Sequence, residues 1–365
     1  MEAHKVTRRL NSTTRALKEW NKKHFGMTQH KIKNLESKLQ QIQLGNQLDD
    51  VEQSNILEEL RVQRERLESI FKQKSREVWL KEGDRNTKFF HTSTLVRRRR
   101  NKIVKIKAGK DWIQGKEEIK NYFIREFKEL FYSNIHVIHD DLEGLAEQRI
   151  LEEDNCALLR IPLEEEIKEC VWNLHPLKSP GPDGFPGIFF RSYWEIVKEQ
   201  VVSCIQECFR NKNIPKGLNR TFLVLIPKND QASNFNHFRP ISLCNFIYKI
   251  FSKLLANRLR PLLDKIISPN QGAFVKGRWI AENSIIAQEL VHKIKSHKGK
   301  NGLLLMKIDL KKAYDRLEWS FVDRSLSAWG FSEDFRRIIL NCLSSVEYSL
   351  LINGDQSKVS PRIED

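Results

Sequence analysis

The sequence lacks the features that would place a protein in a membrane or a secretory pathway. None of its apolar runs reaches the roughly eighteen residues that a membrane-spanning helix needs. Residues 1–30 are polar and basic and contain no apolar core of a secretory signal. We therefore expect an intracellular protein, nuclear or cytoplasmic, without a membrane span.

Cysteine is scarce, and its spacing argues against a zinc site. The six cysteines form no Cys-x-x-Cys pair, and no pair of histidines stands near them at ligand spacing. Cys204 and Cys208 lie four residues apart in an apolar stretch. This spacing predicts two buried thiols on one face of a helix, in a protein that is kept reduced.

Acidic residues are outnumbered, since 63 Lys and Arg stand against 47 Asp and Glu in 365 residues, a net charge of +16. Such a balance predicts an anionic partner. Nucleic acid is the favoured partner, an anionic membrane surface comes second, and a merely soluble basic surface is third. Hydrophobic residues make up 40% of the chain, which is enough for two or three domains with a substantial core.

The positive charge is concentrated in residues 85–110, which contain ten Lys and Arg and no Asp or Glu. Four consecutive arginines, Arg97, Arg98, Arg99 and Arg100, form the centre of this block. Neutralising a phosphate backbone releases condensed counterions, so a block of this kind favours nucleic-acid binding. A solvated basic loop or a localisation signal is the alternative interpretation.

Residues 28–82 contain no proline, and Ile32, Leu35, Leu39 and Ile42 are spaced by three and four. This heptad-like seam predicts two long helices, folded back at Gly45-Asn46 into an antiparallel hairpin. A structural arm is the favoured interpretation, and helix-mediated self-association is an alternative.

The remaining chain alternates helical and extended patterns, which predicts an α+β fold. Helices are expected over 117–133, 162–174, 189–209, 246–263 and 319–343, and strands over 221–226, 238–243, 303–308 and 348–352. The last strand leads into Asn353-Gly354, a strong hairpin signal. Residues 178–186 hold three prolines and two glycines, which predicts a rigid, exposed turn.

Two features of this pattern suggest phosphoryl chemistry. Asp309 follows the apolar run 303–308, where a carboxylate at a strand end can hold a magnesium ion, although a helix N-cap is the commoner use of such an aspartate. Lys228 ends one predicted strand and Arg239 begins the next. A hairpin would aim both cations at one triphosphate, whereas two unrelated surface charges are the alternative.

Six segments carry a resemblance to a known family. They are LKEGDRNTKFFH (80–91), KSPGPDGFP (178–186), LIPK (225–228), FRPISL (238–243), NQGAFVKGR (270–278) and KIDLKKAYD (307–315). Together they resemble the reverse transcriptase of LINE-type retrotransposons, which lack long terminal repeats, of the kind abundant in plants. The resemblance covers roughly residues 75–360.

The resemblance implies a role for each matching residue. Asp309 would be the first metal-binding aspartate and would hold Mg²⁺ together with the Leu310 carbonyl. Lys228 and Arg239 would contact the incoming deoxynucleoside triphosphate. Tyr314 would pack beneath its sugar as a steric gate, although a core aromatic is the alternative.

The partners implied by the resemblance are an RNA template and a DNA primer. The loop residues Gln271, Lys276 and Arg278 would lie near the template, and no metal is assigned to Asp315. The predicted architecture is a helical arm (1–83), a basic connector (84–150), fingers (151–302) and a partial palm (303–365) of a right-hand polymerase.

The family's second palm motif, Arg-Gln-Gly-Asp-Pro-Leu, would begin near Arg362, but the sequence there reads Arg-Ile-Glu-Asp. The family's hairpin with two adjacent aspartates has no counterpart either. We therefore expect a chain truncated within the palm, with an open strand edge at 303–308 and no polymerase activity of its own. A non-catalytic nucleic-acid-binding remnant and a helix-mediated interaction protein are the alternatives.

Overall fold

The computed structural model describes residues 2–24, 27–44, 50–75, 87–132, 147–299, 301–310 and 312–358. The helices are α1 (Glu2–His24), α2 (Thr28–Leu44), α3 (Asp50–Ser75), α4 (Thr87–Asn101), α5 (Lys116–Phe131), α6 (Glu152–Leu159), α7 (Glu164–Asn173), α8 (Gly187–Ser192), α9 (Trp194–Asn211), α10 (Phe246–Leu259), α11 (Leu263–Ile266), α12 (Ile280–Ser296), α13 (Trp319–Ala328) and α14 (Glu333–Ser344). The strands are β1 (Lys105–Ala108), β2 (Asp111–Gln114), β3 (Arg220–Pro227), β4 (Phe238–Cys244), β5 (Glu347–Ile352) and β6 (Asp355–Lys358). The α+β class predicted from the sequence is confirmed.

Across the described ranges, the helices are all too short or too polar to cross a bilayer.

The larger sheet has the strand order β4-β3-β5-β6. β3 pairs antiparallel with β4 and parallel with β5, and β5 pairs antiparallel with β6. Side chains alternate between the two faces of a strand, so Leu223, Leu225 and Leu350 are buried on one face, where they pack with Phe123 and Phe127 of α5. The predicted hairpin turn at Asn353-Gly354 is confirmed, and both of its residues have positive φ.

A second hairpin, β1–β2, lies within the predicted basic connector and was not foreseen as a pair of strands. Ile106 is fully buried, and Lys107 N–H donates to the Ser233 carbonyl at 2.6 Å. The Asn353 side chain accepts from Ile103 N–H at 3.0 Å and donates to the Ile103 carbonyl at 2.7 Å. The connector is therefore packed onto the larger sheet.

The main core is helical and lies around α10. Ile250 and Leu254 of α10 are fully buried and belong to the same cluster as Cys204 of α9 and Phe335 of α14. Cys208 also lies in this cluster, which confirms the prediction of two buried thiols. The N-terminal helix α1 contributes Ala3 and Val6 to the cluster, so it packs with the predicted fingers region rather than with the helical hairpin.

The predicted helical hairpin is formed by α2 and α3. Ile32 and Leu35 of α2 pack with Ile56 and Leu60 of α3, as the heptad spacing predicts. The apolar seam is thus closed within one chain. α3 also packs against α4, where the ring centroids of Phe71 and His91 are 4.6 Å apart.

Two predictions about local structure were wrong. Residues 303–308 form no strand but an irregular segment with exposed side chains, of which Leu304 is 85% exposed. A strand needs a pairing partner for its backbone groups, and no described strand pairs with this segment. Residues 178–186 form an irregular turn as predicted, but Gly181 and Phe185 are buried, so much of the turn is packed against the core rather than exposed.

Candidate nucleotide-binding site

The antiparallel pair β3–β4 places Lys228 and Arg239 on the same face. Arg239 lies directly across from Ile226 in the register, and Lys228 N–H donates to the His237 carbonyl at 2.8 Å, two pairs further toward the turn. Because alternate residues share a face, the two cations are diagonal neighbours, with Cα atoms about 7–8 Å apart. The opposite face carries the buried Leu225 and Phe238. The predicted hairpin is confirmed, and it presents both cations on one side.

The two cations differ in their own contacts. The Lys228 ammonium donates to the Asn236 carbonyl at 2.7 Å, which holds it over the turn. Arg239 is exposed, and among the described residues its guanidinium has neither an ion-pair nor a hydrogen-bond partner. An arginine has five donors in a planar fork that matches phosphate oxygens. Arg239 therefore has the capacity to bind an anion without breaking an existing contact.

The turn of this hairpin is anchored to two helices. Phe235 begins a short 3-10 turn and packs edge-on against Phe127 of α5, with ring centroids 5.0 Å apart. Arg100, at the end of α4, pairs with Asp230 at 2.8 Å. The imidazole of His237 lies 3.1 Å from the Asn234 amide. These contacts fix the turn on which Lys228 lies.

The segment that follows Asp309 reaches the same turn. The Lys312 ammonium lies 4.1 Å from the ring centroid of Phe235, a cation–π contact. Tyr314 is 77% exposed and meets Phe274 edge-on, with ring centroids 6.0 Å apart. Tyr314 is thus an exposed ring rather than the core aromatic that was its alternative. The structure brings the Asp309 segment and the β3–β4 turn together.

Asp309 itself is exposed and lies outside any strand, and Leu310 is 73% exposed. Among the residues that the structure describes, no three His, Cys, Asp or Glu side chains are close enough to hold a metal ion. A pair of magnesium ions needs several oxygen ligands, so the described residues do not fit a two-metal site by themselves. We therefore derive no reaction step through a metal ion.

The loop before α12 holds the predicted template residues. Arg278 donates to the Ser268 carbonyl at 2.5 Å and to the Gln271 carbonyl at 2.9 Å, and it pairs with Asp264 at 3.2 Å. The amide of Gln271 donates to the Ala273 carbonyl, whereas the Lys276 side chain is exposed. Arg278 therefore stabilises the loop, and the template contacts of this loop stay predictions.

The four consecutive arginines form the last turn of α4 rather than a loop. All four are exposed, and positive charge at a helix C-terminus is favourable because the last carbonyls are unpaired. Arg100 is engaged with Asp230. The side chains of Arg98 and Arg99 make neither an ion pair nor a hydrogen bond with other described residues.

Sequence reasoning missed the residues that hold the site together. Asp230 and Phe235 lie in the polar stretch between the two predicted strands, where a turn was expected but no contacts were assigned. A phenylalanine in an otherwise polar turn is a candidate for burial, because aromatic side chains bury a large apolar area, and this signal could have indicated Phe235.

Residues 226–362 match the family described as reverse transcriptase (RNA-dependent DNA polymerase). This match begins at Ile226, near the end of β3, and includes the β3–β4 turn, β4 and the Asp309 segment. Residues 226–362 are therefore similar to reverse transcriptases.

The reverse transcriptase region resembles proteins of retrotransposons. The chain is 27% identical over 285 residues to the transposon TX1 uncharacterized 149 kDa protein of Xenopus laevis, covering 77% of this chain and 21% of that protein. It is 28% identical over 177 residues to the retrovirus-related Pol polyprotein from type-2 retrotransposable element R2DM of Drosophila melanogaster, covering 48% of this chain and 16% of that protein. It is 27% identical over 158 residues to the retrovirus-related Pol polyprotein from type-1 retrotransposable element R1 of Bradysia coprophila, covering 42% of this chain and 15% of that protein.

These relatives confirm the predicted resemblance to retrotransposon reverse transcriptases without long terminal repeats. The plant type within that group stays a prediction, since these relatives come from a frog and two insects. The chain spans between 15% and 21% of the length of these three relatives.

Proposed function

We propose that this chain carries the triphosphate- and template-binding part of an RNA-directed DNA polymerase. The observation that supports this proposal most strongly is the β3–β4 hairpin. It presents Lys228 and Arg239 on one face, inside the segment that matches the family. In phosphoryl transfer, positioning and neutralising the phosphates is most of the catalysis.

In this proposal Arg239 grips the triphosphate bidentately, and Lys228 adds a point charge beside it. Tyr314 packs beneath the sugar and rejects a 2′-hydroxyl by crowding. Its exposure leaves one side of the ring open to a ligand. Asp309 and the Leu310 carbonyl contribute oxygen ligands to Mg²⁺ once further ligands complete the site.

An RNA template and a DNA primer are the proposed macromolecular partners. Lys276 and Gln271 lie on the loop that the family resemblance assigns to the template. The basic end of α4, at Arg97 to Arg100, contacts the phosphate backbone. The ion pair between Arg100 and Asp230, which links this basic turn to the hairpin, supports a backbone contact near Lys228 and Arg239.

The 365-residue chain alone is expected to add no nucleotides to a primer. A single exposed carboxylate at Asp309 cannot hold two magnesium ions in catalytic geometry. A primer-extension assay on an RNA template, with Mg²⁺ and deoxynucleotides, tests this point. Incorporation that disappears in Asp309→Ala would contradict it.

Affinity for a triphosphate tests the proposal directly. Isothermal titration with dTTP should detect binding to the parent chain, and Arg239→Ala should weaken it about 10- to 100-fold, because hydrogen bonds to charged groups contribute about 1.5–3 kcal/mol. Arg220→Ala is the matched control, since Arg220 is an exposed arginine at the start of β3, at the opposite end of the hairpin from Arg239, and pairs with Glu347 at 3.0 Å. Equal affinity in the two variants would contradict the assignment.

A non-catalytic nucleic-acid-binding protein is the second candidate. It is favoured by the exposed arginine turn of α4 and by the exposed Lys105 and Lys107 that follow it in β1. It predicts RNA binding that does not depend on Asp309 or on a triphosphate. Self-association through residues 28–82 gains no support from the α2–α3 hairpin, because the apolar seam is closed within the chain.

A further inference from the structure

The base of the β3–β4 hairpin is held by one buried side chain. Asn245 follows β4 directly and is 5% exposed. Its amide nitrogen donates to the carbonyls of Gly217 and Leu218, each at 3.2 Å, just before β3 begins. Its amide oxygen accepts from Asp183 N–H at 3.1 Å. Asn245 therefore joins both ends of the hairpin to the Pro/Gly turn at 178–186.

The Pro/Gly turn is built for this contact. A Cβ on Gly181 would lie 2.4 Å from Asn245 N and 2.4 Å from the Cys244 carbonyl carbon, so only glycine allows the turn to approach so closely. The Lys249 ammonium of α10 donates to the Ser179 carbonyl at 3.1 Å. The turn is thus fastened to the β4–α10 junction by backbone proximity and by side-chain bonds from two residues.

Asp183, rather than Asn245, interacts with the N-terminus of α10. Asn245 occupies the N-cap position of α10, but its side chain makes no capping bond there. The Asp183 carboxylate instead interacts with the backbone N–H of Phe246, the first residue of α10, and accepts a hydrogen bond from Phe185 N–H at 3.1 Å within its own turn. A carboxylate at a helix N-terminus is favourable because the first N–H groups are unpaired. Asp183 therefore leaves the Asn245 amide available for the hairpin.

Burial makes this carboxylate costly. It raises the pKa of Asp183 to about 6, so the charged form is held at the junction against its desolvation. Proteins keep a locally unfavourable group mainly at functional sites, and this favours a positioning role for Asp183.

We propose that Asn245 and Asp183 are positioning residues that fix the direction in which the β3–β4 hairpin presents Lys228 and Arg239 to a triphosphate. Loss of the Asp183 carboxylate would turn the Asn245 side chain back toward its own helix as an N-cap and release the carbonyls of Gly217 and Leu218. The base of the hairpin would then be free to move. This inference rests on the proposed function for its ligand, but its geometric part does not.

The experiment combines triphosphate affinity with amide hydrogen exchange. Asn245→Ala and Asn245→Asp both remove the donor to Gly217 and Leu218, and the aspartate variant keeps the shape of the side chain. Either should weaken dTTP binding about tenfold, the equivalent of about 1.4 kcal/mol, and speed exchange in residues 220–227 and 238–244. Asp183→Ala should likewise weaken dTTP binding and speed exchange in the hairpin. Asp183→Asn keeps an oxygen that accepts from Phe185 N–H, and its affinity for dTTP should stay near that of the parent.

Asn155→Ala is the matched control. Asn155 is also 5% exposed and also joins separate segments, since it donates to the Gly330 carbonyl and accepts from Ser332 N–H, each at 2.9 Å. It should lower stability without changing exchange in the hairpin or dTTP affinity. Unchanged hairpin exchange in both Asn245 variants would overturn the inference, as would faster exchange with unchanged affinity. If the parent binds no dTTP, the proposed function fails, and the exchange measurement alone decides whether Asn245 holds the hairpin.

Discussion

Asp183→Asn should change how stability depends on pH. Burial raises the pKa of Asp183 from 3.8 to about 6 in the folded chain. Between these two values the folded state therefore binds more protons than the unfolded state, so stability falls as pH rises through this window. The difference of about two between the folded and unfolded pKa is equivalent to about 3 kcal/mol of stability. Asparagine cannot ionise, and it retains an acceptor for the Phe185 N–H.

The assay is urea unfolding of parent and variant at several values between pH 4.5 and 7.5, followed by tryptophan fluorescence, because Trp194 is buried in the main core. The stability of Asp183→Asn relative to the parent should increase across this range by about 2 kcal/mol, because part of the full effect of about 3 kcal/mol is already present at pH 4.5. All other carboxylates titrate equally in both proteins, so their contributions cancel.

Asp154→Asn is the control for this prediction. A hydrogen bond from Lys265 lowers the pKa of Asp154 below its ordinary value. Its titration therefore falls below the measured range, and its difference from the parent should stay constant. A constant difference for Asp183→Asn as well would refute the claim that a desolvated carboxylate lies at the N-terminus of α10.

Three further predictions concern other parts of the chain. Replacing Arg98 and Arg99 with alanine should make the binding constant for single-stranded RNA less dependent on salt. The slope of the logarithm of this constant against the logarithm of salt concentration should fall by about 1.4, since each phosphate contact contributes about 0.7. An unchanged slope in filter binding would exclude this turn from the interface. Glu166→Gln should lower the free energy of unfolding in urea by about 2 kcal/mol, because the Arg258 side chain, 8% exposed, loses a carboxylate that it binds bidentately at 2.8 and 2.9 Å. A variant as stable as the parent would contradict this. Leu60→Ala should cost about 3 kcal/mol by removing a side chain that is 3% exposed in the α2–α3 seam; limited proteolysis that leaves the hairpin as resistant as before would contradict that packing.

Local patterns predicted the parts of the fold whose partners are close in sequence. The β3–β4 pair and the Asn353-Gly354 turn were both foreseen, because alternating side chains and turn residues define a hairpin within about twenty residues. The α2–α3 hairpin was foreseen from its seam for the same reason. The β1–β2 hairpin was missed because lysines flank Ile106, and the charge hid the alternation that buries this residue.

Contacts between distant segments could not be predicted from local patterns. The run 303–308 has the composition of a buried strand, yet a strand forms only where another backbone satisfies its hydrogen bonds, and none of the described strands does so. In the Pro/Gly turn the residue types predicted irregular backbone, but not that Gly181 would meet Asn245 across more than sixty residues. Of the candidate site, Lys228 and Arg239 were predicted together, whereas the junction that orients them was not.

The β3–β4 hairpin is proposed to hold the triphosphate of an incoming nucleotide. Photo-crosslinking with a deoxynucleoside triphosphate that carries its photoreactive group on the γ-phosphate tests this claim most directly. Mass spectrometry should map the label to residues 226–241, and Arg239→Ala should lose the label while Arg220→Ala keeps it. Label that maps outside this hairpin, or that persists in Arg239→Ala, would contradict triphosphate binding by the hairpin.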